Sequence, residues 1–119
     1  MADRLLLPER HRAALERLFA EYLPEIEVWA YGSRVTGRAH DGSDLDLALR
    51  APGGAGIDPA RLGAFRRALE ASAIPFLVQP HDWARLPERF RREIERGYAV
   101  LRPAHPAEGA ASGGAGGAS

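Results

Sequence analysis

The 119-residue chain has no cysteine, no lysine and no asparagine. Without cysteine there is no disulfide, no thiolate nucleophile and no sulfur-ligated zinc site. With lysine absent, every cationic side chain apart from histidine is arginine, which fits the coding bias of a GC-rich genome better than any chemistry. Net charge is missing too, since sixteen basic residues balance sixteen acidic ones. That neutrality argues against bulk nucleic-acid binding, which needs a cationic surface. The histidines at His11, His40, His81 and His105 lack metal-ligand spacing. No apolar run approaches the ~20 residues that cross a bilayer, and Leu5-Leu6-Leu7 is too short for a signal-peptide core. The expectation is a cytoplasmic protein without membrane association.

What remains is an ordinary globular composition, 45% hydrophobic and 27% charged, at the length of one domain. Apolar residues Leu15, Leu18, Phe19 and Tyr22 recur at helical spacing, so a first helix is expected from Pro8 to Leu23, stopped by Pro24. Strands are expected at residues 26–31, at Leu45–Leu49 and at Ile74–Val78, with an edge strand at Tyr98–Leu101. Asp58-Pro59 announces a helix whose buried stripe is Leu62, Phe65 and Leu69. Leu86-Pro87 opens another, with Phe90 and Ile94 turned inward and Gly97 as its C-cap. Trp83 is expected to cap the fold at a strand end. From Pro103 onward the composition is mostly Ala, Gly, Pro and Ser, which cannot bury apolar area. Residues 1–103 are therefore read as the domain and 104–119 as a disordered tail.

One segment carries chemistry. Tyr31-Gly32-Ser33-Arg34 ends the first strand, and ten residues after Ser33 comes Asp44-Leu45-Asp46 at the start of the second. Residues i and i+2 of a strand share a face roughly 7 Å apart, so Asp44 and Asp46 aim two carboxylates at one point. Like charges so placed repel each other, and a cation offsets that cost. Hard oxygen ligands of this kind suit Mg²⁺ or Mn²⁺ carrying a nucleotide's phosphates. Gly32 and Ser33 form a turn whose backbone can approach a phosphate closely, with Ser43, Arg34 and Arg38 as further candidates. The glycine-rich loop at residues 53–56 lacks the Lys-Ser/Thr of a Walker motif and reads as a connection. His81 and Asp82 read as a turn after the third strand, where Pro80 breaks it.

The order Gly-Ser, ten residues, Asp-x-Asp resembles the nucleotidyltransferase superfamily with a DNA polymerase β-like palm. More narrowly it resembles the minimal nucleotidyltransferases that serve as antitoxins to HEPN-type helical ribonuclease toxins. The supporting segments Glu27–Arg34, Ser43–Leu47 and Pro75–Val78 follow the family's order between about Leu5 and Leu101. The resemblance implies an α/β (α+β) fold, a small mixed β-sheet with helices packed on it. It implies that Asp44 and Asp46 are catalytic and bind metal, and that Gly32, Ser33, Arg34 and Ser43 bind a nucleoside triphosphate, ATP by expectation. It further implies transfer of AMP to a tyrosine of a partner toxin, since the chain has no room for an acceptor-recognition domain and must rely on that partner or on a homo-oligomer.

The chain departs from the family at Gln79, where a third carboxylate usually completes the catalytic metal site. An amide is a poorer ligand for a hard cation and cannot act as a general base. Asp82 could substitute only if the strand bent at Pro80. The alternative to an active transferase is thus a nucleotide-binding antitoxin that neutralises its partner by contact.

Overall fold

The computed structural model describes residues 5–37 and 42–104. The tail assigned from the sequence falls almost wholly outside them, as do Arg38 and His40. Helix α1 (Glu9–Tyr22) leads into β1 (Glu27–Tyr31), the one-turn helix α2 (Ser33–Thr36) and β2 (Leu45–Arg50). Helix α3 (Pro59–Glu70), β3 (Val78–Asp82), α4 (Glu88–Glu95) and β4 (Tyr98–Arg102) follow, with 3₁₀ turns after β2 and β3. Among the described residues the strands form one mixed sheet in the order β3-β2-β1-β4. β1 runs antiparallel to both β2 and β4, while β2 and β3 are parallel. A parallel pair needs a crossover, and α3 supplies it.

Alternation along the strands separates two faces. Val28, Ala30, Leu45, Leu47 and Leu49 point to one side and form the main core with Leu15, Phe19 and Leu23 of the α1 region and Phe65 of α3. Phe19 and Phe65 hold the two helices together, their ring centroids 4.5 Å apart. Asp58 caps α3 by accepting from the Ala60 N–H at 2.9 Å, as the Asp-Pro pair predicts. The other face carries Trp29, Ala48, Trp83 and Ile94 in a smaller cluster. Arg50 lies over Trp29 at 4.0 Å and donates to Glu27 at 2.9 Å.

The structure departs from the sequence expectations at four points. The third strand is Val78–Asp82, not Ile74–Val78. Ile74 and Phe76 instead pack against the core from the connection before the strand, and Leu77 is 60% exposed. Pro80 does not break this strand, because β3 is an edge and proline's missing N–H can face outward there. The Pro80 carbonyl accepts from Arg66 of α3 at 2.8 Å, which places the outward side of that residue away from β2. Phe90 is not inward but 40% exposed, and Gly97 lacks the left-handed backbone of a glycine cap, α4 ending instead on Arg96. Trp83 is buried in the second cluster.

Candidate functional site

The register brings the sequence candidates to one end of the sheet. Tyr31 pairs with Asp46 across β1 and β2, and Asp46 pairs with Gln79 across β2 and β3. Tyr31, Asp46 and Gln79 therefore share a face, and Asp44 precedes Asp46 by two residues on the same side. The Gln79 amide donates to Asp44 Oδ2 at 3.0 Å. So Gln79 projects toward the two aspartates, with an amide that bonds one of them. Among the described residues no His, Cys, Asp or Glu joins the two aspartates as a third metal-ligating group.

Gly32 closes the other side. Its backbone sits at φ +87° and ψ −156°, a region that residues with a Cβ rarely adopt. A Cβ built there would lie 2.7 Å from Asp46 Oδ2. The turn thus passes directly over the carboxylate, leaving a cradle that only glycine keeps open. Gly32 is the N-cap of α2, its carbonyl accepting from the Val35 and Thr36 N–H groups at 3.0 and 3.1 Å.

Arg34 does not project toward this cradle. Its side chain is 1% exposed and donates to the Ser43 carbonyl at 2.9 Å and the Leu6 carbonyl at 2.7 Å. Its guanidinium also lies 4.0 Å over the Phe76 ring. The Leu6 N–H returns a bond to the Arg34 carbonyl at 2.8 Å. Hydrogen bonds from a charged donor are worth about 1.5–3 kcal/mol each, so this arginine ties the N-terminal segment, α2 and the approach to β2 into one unit. Through the Ser43 carbonyl it anchors the approach to the Asp-x-Asp strand.

Asp82 is likewise removed from the site. It pairs with Leu49 on the core side of the sheet. Its Oδ2 accepts from the Ile57 N–H at 2.9 Å and its Oδ1 from the Ala84 N–H at 3.1 Å, with Arg85 3.4 Å away. Pro80 introduces no bend that would redirect it. His81 shares the face of Asp46 and Gln79 instead. The sequence reading missed this, although two-residue alternation carried through Pro80 would have shown it.

Burial holds the Asp46 carboxyl above the ordinary aspartate range; His81 opposes the shift and Asp44 adds to it. Burial, with Asp46 nearby, pushes the Tyr31 phenol up to about 12, so it stays protonated at neutral pH. A carboxylate whose folded pKa is raised binds its proton more tightly in the native state. Its ionisation costs no stability below the unfolded value near 3.8 and its full cost above the raised folded value. Asp46→Asn should therefore raise the melting temperature of the metal-free protein at pH 7 and leave it nearly unchanged at pH 3. Thermal melts at the two pH values check this, and a lower melting temperature at pH 7 would show that Asp46 is stabilising as an ion.

Two carboxylates and an open glycine turn beside them fit a divalent cation that completes its shell with phosphate oxygens. A mixed sheet that presents Asp-x-Asp against a Gly-Ser turn, with helices packed on it, is an α/β arrangement chemically suited to a metal-held phosphate. The chain belongs to the nucleotidyltransferase domain family, whose model matches residues 9–99. It is 34% identical over 90 residues to a probable protein adenylyltransferase MntA of Haemophilus influenzae, covering 76% of this chain and 77% of that protein. The fold is similar to that of a toxin–antitoxin crystal structure with AMP-PNP, at a TM-score of 0.64 and 19% identity over 82% of this chain and 77% of that one. A mutant MntA–HpeT toxin–antitoxin structure, with two aspartates changed to glutamate, matches at a TM-score of 0.63 and 17% identity over the same shares. At those identities the structural likeness speaks for the fold. The described residues include no helix long and apolar enough to cross a membrane.

Proposed function

We propose that the chain is the antitoxin of a toxin–antitoxin pair and transfers AMP from ATP to a tyrosine of a HEPN-type toxin, with Mg²⁺ or Mn²⁺ as cofactor. The observation that carries this reading is the convergence of Asp44, Asp46 and Gln79 beneath the Gly32 turn. In this reading Asp44 and Asp46 hold the metal, which would supply charge neutralisation for the triphosphate and for the departing pyrophosphate. The Gly32-Ser33 turn receives the phosphates, and Arg34 keeps Ser43 in place beside them. The acceptor hydroxyl attacks the α-phosphorus in line, pyrophosphate leaves, and the hydroxyl proton passes to a base. Gln79 cannot be that base. The relative named as an adenylyltransferase supports AMP as the transferred group, and the toxin–antitoxin complexes support a toxin as acceptor.

The Gln79–Asp44 hydrogen bond favours a second reading, in which the nucleotide is held and the toxin is silenced by contact alone. Incubation of the co-purified pair with α-labelled ATP and Mg²⁺ separates the two. The proposal expects labelled AMP on the partner, lost when its acceptor tyrosine is changed to phenylalanine. An unlabelled but inactive toxin would favour neutralisation by contact.

A further inference from the structure

A groove of about 210 Å³ lies between α3 and the outer edge of β3. Arg66, Leu69 and Glu70, spaced i, i+3 and i+4 on one face of α3, form one wall. Leu77, just before β3, and Gln79 and His81 within it line the other. Gln79 joins the groove to the aspartates, because the same side chain donates to Asp44 at 3.0 Å. Leu77 comes two residues earlier, roughly 7 Å away along an extended chain. It is the most exposed large apolar side chain among the described residues.

Two features narrow what the groove can hold. Its volume falls below the ~300–1,000 Å³ of small-molecule sites and suits a side chain or two of a larger molecule. Addition of a β-strand is blocked at its middle, since Pro80 has no N–H to offer and its carbonyl already accepts from Arg66 at 2.8 Å. An occupant is therefore held by its side chains, apolar against Leu69 and Leu77 and polar against Glu70 and the rest of the Arg66 guanidinium.

We propose that this groove docks the acceptor segment of the partner protein. The segment is a short stretch that seats an apolar side chain between Leu69 and Leu77 and carries its hydroxyl past Gln79 to the two aspartates. The inference rests on the transfer reading above and deepens it by naming the surface that receives the acceptor. Gly32 reaches Asp46 from the β1 side of the site, whereas Gln79 reaches Asp44 from the β3 side. An acceptor entering over β3 thus does not compete with the turn proposed to receive the phosphates. A leucine kept outside the core beside that entrance is the apolar contact such a segment needs.

The test measures transfer of AMP from α-labelled ATP and Mg²⁺ to the purified partner over a range of partner concentrations, with calorimetric titration of Mg²⁺-ATP on the same full-length chains. Burying a leucine-sized side chain is worth roughly tenfold or more in affinity. Leu77→Gln should lower kcat/KM for the partner at least tenfold, and Leu77→Met should stay within threefold of wild type. ATP affinity should stay within twofold in both, which also reports that both have folded. The methionine variant keeps the apolar contact, so it separates loss of that contact from any other disturbance at the position. Equal kcat/KM in all three proteins would overturn the proposal and leave the transfer reading standing. A loss in Leu77→Gln matched by an equal loss of ATP affinity would overturn it too, by showing that Leu77 acts through the nucleotide site. ATP binding by wild type without transfer to the partner would overturn the transfer reading and this inference with it.

Discussion

Gly32→Ala should abolish metal-dependent ATP binding, weakening it at least 100-fold by calorimetric titration. Two effects act together. The backbone at φ +87° belongs to a region that costs a residue with a Cβ about 1–3 kcal/mol. The added methyl would also sit 2.7 Å from Asp46 Oδ2, a distance that real Cβ atoms do not tolerate. Either the turn lifts away from the strand or the Asp46 carboxylate rotates out of the cradle. Both outcomes separate the turn proposed to receive the phosphates from the aspartates proposed to hold the metal. The melting temperature of the unliganded protein should fall as well, by the strain alone. Unchanged ATP affinity in this variant would show that the turn and the aspartates do not form one site.

The opposite sign is expected at Gln79. Glutamate has nearly the same shape as glutamine, and position 79 already reaches Asp44 at 3.0 Å. Gln79→Glu adds a hard ligand and a candidate base where the family usually has a carboxylate. General-base contributions are typically about 10² to 10⁴-fold, so transfer of labelled AMP to a co-purified partner should rise at least tenfold. ATP affinity should change far less, because in the proposed site the phosphates are held through a metal ion on Asp44 and Asp46 and by the Gly32-Ser33 turn. The metal-free variant should melt lower than wild type, since a third negative charge replaces an amide that now donates to Asp44. Efficient wild-type transfer with no gain in the variant would mean that another group already takes the proton. His81 is then the first suspect, because it shares the face of Asp46 and Gln79, whereas Asp82 is bound to the Ile57 and Ala84 backbone on the other side.

The site was legible in the sequence to the extent that it is made of strand alternation. Asp46 lies on β2 and Asp44 just before it, with a glycine ahead of the short helix, so motif order alone pointed to them as candidates. The register that puts Gln79 beside them follows from the same alternation. Legibility failed where one residue's meaning depends on its neighbours in space. Pro80 reads as a strand breaker until β3 is known to be an edge. Arg34 reads as a phosphate ligand because arginine after Gly-Ser is cationic and local. Its burial depends on carbonyls at Leu6 and Ser43, far from it in sequence, and on the Phe76 ring. Phe90 satisfies the helical stripe, yet the sheet face beneath that turn of α4 is occupied by Tyr31, leaving the ring at a cleft wall.

The most direct measurement of the central claim is the thermal shift produced by ATP with and without Mg²⁺ in wild type and in Asp44→Asn/Asp46→Asn. Ligand at about 100 times Kd adds roughly 2.7 kcal/mol of stability to a native state that alone binds it. A domain of this size gains about 4–8 °C per kcal/mol, so wild type should rise by on the order of 10 °C with both components. The double variant should fold, melt no lower than wild type without ligand, and show no Mg²⁺-dependent rise. An equal rise in the double variant would contradict the assignment of the two aspartates as the ligands of the nucleotide's metal.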